Sequence, residues 1–240
     1  ADTALQAAPG REQSEIKYIP LYKLILLAKA GKTTEELKPF WNELVSRFDG
    51  NFKKAFQALD CVFFSFEANS EDTSKIDELT NLVLESELFK QEEIRAQFTD
   101  DDISHLYDMH ASGVLFSGNT QEAARIYKKV YDEYFPRTFA SVVCTMGYAN
   151  HLSGEGKYDE AIQLLLEIIY DTPFDDNYFK YAGHGNLAKI FKFTGRYQEA
   201  MHHINSALEF ASEFSHGVEY NWYNYLRELQ DQVLRRMVAK

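Results

Sequence analysis

The sequence predicts an all-α fold in which antiparallel helix pairs stack into an α-solenoid that ends in a C-terminal capping helix. Three observations predict it. The pattern Gly-x-(Tyr/Thr)-x-Glu-Ala recurs in the second half of the chain. Apolar residues recur at helical spacing between the copies. Only 5 Pro and 12 Gly occur in 240 residues, so most of the chain can form regular structure.

The repeated pattern has three clear copies, at residues 118–123, 156–161 and 195–200. The final alanines of these copies are 38 and 39 residues apart. A fourth, weaker copy at 50–55 places its alanine 68 residues before the alanine of 118–123, which is twice the 34-residue tetratricopeptide period.

Segment 156–173 resembles the second half of a tetratricopeptide motif, with Ala161 at the small position and Pro173 at the terminal proline. Segment 195–212 is similar, although Ser212 stands where proline is usual. The first helix of each pair departs further from the motif. The usual Trp position holds Thr145 and His184, and the usual Gly position holds Ala149 and Ala188. The resemblance implies a right-handed α-solenoid of tetratricopeptide-like antiparallel helix pairs.

This resemblance is strong over about 104–215, weaker over 35–65 and poor over 66–98. The residue types of the motif are consistent with closely packed helix pairs, because glycine allows a sharp turn between helices and alanine allows the paired helix to approach closely. One helix pair cannot bury its apolar face alone, so stacking is required. We expect one repeat domain over 15–240, preceded by a linker or chain edge at 1–14.

Apolar spacing and capping signals predict the following helices: 15–30, 34–48, 51–68, 73–88, 91–97, 101–117, 119–134, 138–153, 158–171, 176–194, 197–213 and a capping helix at 218–238. Thr33 or Thr34 is expected to cap the second helix, and Asp72 or Thr73 the fourth. The acidic runs at 99–102 and 174–176 are interpreted as helix N-termini.

Charge and hydropathy argue against two classes of function, nucleic-acid binding and membrane insertion. With 25 basic and 37 acidic residues, the net charge is −12. Such a surface repels phosphate backbones and anionic headgroups, so we expect no contact of this segment with nucleic acid or membrane. The most apolar run, 18–30, is shorter than the roughly 18 apolar residues of a membrane span and contains Lys23. We therefore expect a cytoplasmic protein.

Cys61 and Cys144 both lie in apolar runs. Buried free thiols are the favoured interpretation, with a disulfide as the alternative.

No nucleotide-binding loop, nucleophile elbow or HExxH motif occurs in the sequence. The seven histidines show no metal-ligand spacing and are interpreted as structural or solvated. The sequence therefore predicts no catalytic residue, no metal site, no cofactor and no enzyme activity. Most of the aromatic residues are expected in the core, among them Phe63, Phe64, Phe66, Phe89, Phe191 and Phe210.

In tetratricopeptide arrays the first helix of each pair lines the concave groove, and the resemblance implies the groove positions here. Counted back from the three repeat alanines, they are His105, Asp108, Ser112, Leu115, Val143, Met146, Asn150, Ser153, Ala182, Gly185, Asn186, Lys189 and Phe193. The aromatic cluster at 220–225 either packs on the last repeat or lines the end of the groove. The predicted ligand-binding residues are Asp108, Met146, Asn150, Asn186, Lys189, Phe193 and Tyr225.

Asn150 and Asn186 stand out because an amide both donates to and accepts from a peptide backbone. Asn150 is eleven residues before Ala161, and Lys189 is eleven before Ala200. The alternative is that the two Asn residues satisfy contacts between helices. A clamp for a terminal carboxylate is disfavoured, because Met146 and Gly185 occupy positions where that clamp has polar or cationic residues.

The long repeat spacing and long helices resemble the intracellular peptide-pheromone receptors of Gram-positive bacteria, which include the Rap, NprR, PlcR and PrgX types and the phage arbitrium receptors. The resemblance implies the sensor domain of a quorum-sensing transcriptional regulator that binds a short peptide and changes shape or forms a homodimer. Residues 1–14 would then follow an N-terminal DNA-binding domain. Two alternatives stay open at this stage: a constitutive scaffold or cochaperone, and an enzyme or phosphatase accessory.

Overall fold

The computed structural model describes residues 18–67, 75–174, 176–212 and 220–238, and within these it describes only the backbone of 61–67, 212 and 220–222. Over the described residues the structure is all-helical, without a strand. None of the helices in these ranges is long and apolar enough to cross a membrane.

The described residues form the following helices: α1 Ile19–Lys29, α2 Thr34–Arg47, α3 Phe52–Glu67, α4 Ile76–Leu84, α5 Glu92–Arg95, α6 Asp100–Phe116, α7 Thr120–Tyr134, α8 Phe139–Gly154, α9 Tyr158–Tyr170, α10 Asn177–Phe193, α11 Tyr197–Ser212 and α12 Tyr220–Val238. Each corresponds to one predicted helix, and the fourth and fifth end earlier than predicted, at Leu84 and Arg95. Residues 1–14, predicted as a linker, lie outside the described residues.

The chain forms two compact units, Ala1–Ile126 and Tyr127–Lys240, here called unit 1 and unit 2. In unit 1, α2 contacts α1, α3 and α4, and α4 also contacts α1, α3 and α6. In unit 2 each helix from α8 to α12 contacts the next one along the chain. In addition, α10 contacts both α8 and α12, which makes α10 the central helix of this unit.

The turns of the repeated pattern adopt the conformation that the sequence predicts. The four glycines that open the copies all have positive φ, with values of 74° at Gly50, 91° at Gly118, 80° at Gly156 and 76° at Gly195. Only glycine enters this left-handed region without a steric penalty, so each can end one helix and turn the chain into the next.

Local capping explains where several helices begin. Thr33 caps α2 through a capping box, in which its backbone N–H donates to Glu36 Oε2 at 3.0 Å. Thr99 caps α6 in the same way with Asp102, which confirms the interpretation of this acidic run. Asp176 caps α10 by accepting from the Tyr178 N–H at 2.8 Å. Residues 72 and 73 lie outside the described residues, and α4 begins after Lys75.

The small residues of the repeat lie where neighbouring helices meet. Ala161 on α9 and Ala200 on α11 are completely buried within one apolar cluster of unit 2. Phe191 is also buried there, Phe210 packs on the cluster as a half-buried residue, and Phe89 is buried in unit 1. Cys144 is a buried thiol that is not in a disulfide, as predicted. The side chains of 61–67, with Cys61 and three predicted core phenylalanines, lie outside the described residues.

Two glycines mark closer approaches that the repeat pattern does not predict. A Cβ on Gly113 of α6 would lie 2.4 Å from the backbone N of Asp77 on α4. A Cβ on Gly183 of α10 would lie 2.7 Å from Cγ1 of Ile169 on α9. Both distances are far inside van der Waals contact, so these helices pack as closely as they do only because no side chain stands between them.

We expect Ala161→Leu and Ala200→Leu each to lower the free energy of unfolding by about 1–3 kcal/mol, because the added atoms overpack a filled interface. Urea denaturation followed by circular dichroism measures the loss. Gln163→Leu is the matched control, since it adds a similar apolar group to the exposed side of α9. Unchanged stability of both alanine variants would contradict the assigned repeat register.

We expect Gly113→Ala to destabilise the protein by about 1–3 kcal/mol, although alanine is the better helix former by about 1 kcal/mol. The reason is the backbone of Asp77, which cannot rotate away as a side chain can. Gly154→Ala provides the comparison, because nothing lies within 4 Å of the new Cβ. Gly154→Ala should be stabilised by about 0.4–1 kcal/mol. If Gly113→Ala and Gly154→Ala shifted the melting temperature in the same direction, the explanation would be refuted.

Candidate ligand-binding site

Three helices of unit 2 carry most of the predicted ligand-binding residues. The central helix α10 contacts both α8 and α12, so residues on these three helices can form one surface. The predicted residues are distributed over them as follows: Met146 and Asn150 on α8, Asn186, Lys189 and Phe193 on α10, and Tyr225 on α12.

Asn186, Lys189 and Tyr225 form a contact cluster, here called the α10–α12 cluster. Asn186 and Lys189 are three residues apart on α10, so their side chains leave the same face. Lys189 Nζ donates to Asn186 Oδ1 at 3.3 Å and lies 5.2 Å from the centroid of the Tyr225 ring. The second distance is that of a cation–π contact. Leu226 and Leu229 are buried in the core of the unit, which fixes the rotation of α12 and places Tyr225 beside α10.

Burial changes the ionisation of both titratable groups in this cluster. It lowers the pKa of Lys189, because the ammonium ion loses hydration. It raises the pKa of Tyr225 for the corresponding reason, since the phenolate would lose hydration. A carboxylate placed beside Lys189 would offset the desolvation of the ammonium, so the electrostatics of the cluster favour an anionic or strongly polar group.

Other predicted residues on α8 and α10 offer exposed apolar and amide groups. Phe193, four residues after Lys189 on α10, is 81 % exposed, and its ring centroid lies 6.4 Å from that of Tyr158. Asn150 is exposed on α8, whereas Met146 is half-buried and packs against the core of the unit. An exposed aromatic ring near a polar cluster can bind an apolar side chain of a ligand.

Asn186 differs from Asn150 in a way that the shared repeat position does not predict. Its side chain is only 4 % exposed, and its oxygen already accepts from Lys189. The cause is the central place of α10, which contacts α8, α9, α11 and α12 and is therefore buried on most sides. Asn186 is thus a buried residue whose amide oxygen positions Lys189, and the hydrogen bond between them lies within α10 and does not join two helices.

The other predicted positions are distributed between buried and exposed environments. Asp108 belongs to unit 1, where it is half-buried on α6, so it is not part of the α10–α12 cluster. Ala182 and Gly185 are buried. Val143, Ser153 and Ser112 are half-buried, and Leu115 is exposed. Of the aromatic residues at 220–225, the side chains of Tyr220 and Trp222 lie outside the described residues.

A stack of rings and cations between α10 and α11 was not predicted from the sequence. His184 Nδ1 and His203 Nδ1 are 2.8 Å apart, and both side chains are buried. Phe210 stacks on the His184 ring at 5.8 Å, and Phe191 stacks on the His203 ring at 5.2 Å. The stack ends in two cations, with Lys180 above Phe210 and Arg196 above Phe191. Adjacent histidines at 202 and 203 were visible in the sequence, but their partner 19 residues away was not.

The two paired histidines are held neutral. Burial, assisted by the neighbouring histidines, lowers the pKa of both His184 and His203 to about 4. His202 adds to the lowering, and Glu199 opposes it at His203. One neutral ring donates its Nδ1–H and the other accepts, so adding a proton would place two donors face to face. His184, at the position where the tetratricopeptide resemblance implies Trp, is a buried aromatic residue.

The remaining described histidines also contact protein groups. His105 Nε2 lies 2.9 Å from Asp60 Oδ1, which raises the pKa of His105. His110 Nδ1 lies 3.0 Å from Thr80 Oγ1, and His151 Nε2 lies 3.3 Å from Glu155 Oε1. Among the described residues, no group of three or more His, Cys, Asp or Glu side chains could hold a metal ion.

No known protein-family model matches this chain, and no curated protein matches it either. The tetratricopeptide assignment therefore stays a prediction that rests on the repeated residues and on the helix contacts.

We expect acidification to weaken the fold through the His184–His203 pair. The folded-state pKa of about 4 lies below the ordinary value of 6.5, so the unfolded chain binds more protons between these values. The stabilisation is complete above the unfolded-state pKa of 6.5 and is lost as the pH falls towards about 4. Melting temperatures at about pH 7.5 and about pH 5 measure the loss.

His203→Gln should reduce this pH dependence, because glutamine can still hydrogen-bond but does not titrate. An equal pH dependence in His203→Gln and the unmodified protein would show that the pair is not responsible.

Proposed function

We propose that this chain is a tetratricopeptide-like α-solenoid that binds a short peptide or an extended protein segment across α8, α10 and α12. We further propose that it serves as the sensor domain of an intracellular, peptide-responsive transcriptional regulator. The second statement rests on the first, and a separate experiment tests each of them.

The helix contacts of unit 2 support the solenoid part of the proposal. Each helix from α8 contacts its successor, and α10, the first helix of its pair, contacts both α8, the first helix of the preceding pair, and the C-terminal helix α12. In repeat proteins such nearest-neighbour contacts build an extended binding surface. The matching positive-φ glycines at 156 and 195 support equivalent turns between the two helices of each pair.

The α10–α12 cluster is the observation that supports peptide binding. It places a desolvated cation, Lys189, between an amide and an aromatic ring in a protein of net charge −12. A peptide offers the complementary groups, since its carbonyls and any carboxylate can accept from Lys189. Asn150 can pair with main-chain groups, and Phe193 can contact an apolar side chain of the peptide. Recognition of main-chain atoms by an amide explains how such a surface binds an extended ligand.

We expect Asn150→Ala and Lys189→Gln to weaken peptide binding by about 1–3 kcal/mol each, because a ligand group loses its partner. A displayed library of random peptides of about five to ten residues supplies binders, and calorimetry gives their affinities. Asn150→Ala should leave the melting temperature unchanged because this side chain is exposed, whereas Asn186→Ala should lower both stability and affinity. Gln163→Ala on the exposed side of α9 is the matched control.

Two results would contradict this binding surface. One is a selected peptide whose affinity is the same for Asn150→Ala, Lys189→Gln and the control. The other is a loss of melting temperature in Asn150→Ala that equals its loss of affinity, because that residue would then be structural.

The sensor role predicts a change of shape or association when the peptide binds. Sedimentation velocity of the chain with and without a selected peptide measures this change directly. A constitutive scaffold would bind the peptide with the same sedimentation coefficient, and that result would remove the sensor role while leaving peptide binding intact.

A further inference from the structure

The α10–α12 cluster continues along both helices by one more contact. Lys192 lies three residues after Lys189 on α10, and its Nζ donates to Oε1 of Gln232. Gln232 in turn lies seven residues after Tyr225 on α12. Because residues three or seven apart share a helix face, both contacts lie along one line between the two helices. This line holds two half-buried ammonium groups side by side, and each donates to an uncharged amide oxygen.

Charge is segregated among the helices of unit 2. The sequence of α8 contains no Asp, Glu, Lys or Arg, and that of α10 contains three lysines and no acidic residue. The helices that alternate with them, α9 and α11, contain three and two acidic residues and no Lys or Arg. The whole chain has 37 acidic residues against 25 basic ones, so a surface built from α8 and α10 is an exception in this protein.

The capping helix α12 adds to the positive side. It contains three arginines and two acidic residues, so α10 and α12 together have six basic and two acidic residues, a net charge of +4. Glu228 is the α12 carboxylate that comes between Tyr225 and Gln232 along the helix, and it is exposed. A positive region on a chain of net charge −12 attracts an anionic ligand that the rest of the surface repels.

We infer that the peptide bound at this surface is an acidic segment in extended form, with carboxylates of alternate residues accepting from Lys189 and Lys192. The inference rests on the proposed function and names the class of its ligand. Lys189 and Lys192 are separated by about 4.5 Å along the axis of α10. Alternate side chains of an extended strand point the same way and are about 7 Å apart, a difference that two flexible lysine side chains can span.

Capped hexapeptide pools are the probe, because acetylated and amidated ends carry no charge of their own. One pool has Glu at its second and fourth residues and the other has Gln there, while the remaining positions are randomised among the same uncharged residues. Mass spectrometry measures how much of each pool the immobilised chain retains. We expect the Glu pool to be retained at least about tenfold more strongly, and this preference to shrink as NaCl rises from about 0.02 M to about 0.5 M.

Lys192→Gln should weaken retention of the Glu pool about tenfold and leave retention of the Gln pool unchanged, because glutamine can still bond to Gln232 but carries no charge. Lys180→Gln is the matched control. It removes the same charge from the same helix, but Lys180 lies over the Phe210 ring of α11 and not beside α12. Glu228→Gln should strengthen retention of the Glu pool several-fold, since it removes a like charge near the ligand. Circular dichroism checks that each variant is folded.

Four results would overturn the inference. Equal retention of the two pools would remove the acidic class while leaving peptide binding intact. An equal loss in Lys180→Gln and Lys192→Gln would make the net charge of the chain responsible. Binding that requires a free C-terminus would assign the terminal carboxylate in place of the side chains. Retention of neither pool would also overturn it, and would overturn the proposed function only if the random library gave no binder either.

Discussion

Neighbouring helices in this chain approach each other at positions where a larger side chain has no room. Ala161 and Ala200 are completely buried where they meet the adjacent helices, and Gly113 brings α6 against the backbone of α4. Close approach lets each helix bury an apolar face against its neighbours, which a single pair could not do. The turns, the central place of α10 and the geometry of the candidate site all depend on this packing.

Close packing also requires that polar groups between the helices be satisfied, and the interfaces achieve this with paired side chains. His184 and His203 pair between α10 and α11, and Asn186 pairs with Lys189 beside α12. Trp41 is the exception among the described buried side chains, because its indole N–H has no acceptor.

Much of the secondary structure could be predicted from the sequence because its causes are local. The repeated glycines specify positive-φ turns, and Thr33 and Thr99 specify helix starts through their own hydrogen bonds. The fourth helix was predicted too long, as 73–88, because apolar spacing alone does not show that it ends at Leu84. For the candidate site, the repeat register correctly placed Asn186 and Lys189 together on one face of α10, since spacing of three residues along a helix determines that face.

By itself, the sequence determined the all-helical fold, the order of the helices and the side chains that share a helix face. Only the tertiary structure decided that Asn150 is exposed while Asn186 is buried, that Tyr225 lies over Lys189, and that His184 pairs with His203. The reason is physical: a helix period fixes directions around one axis, whereas burial and pairing depend on how many other helices surround that axis. For α10 that number is four, and no local pattern in its own residues specifies it.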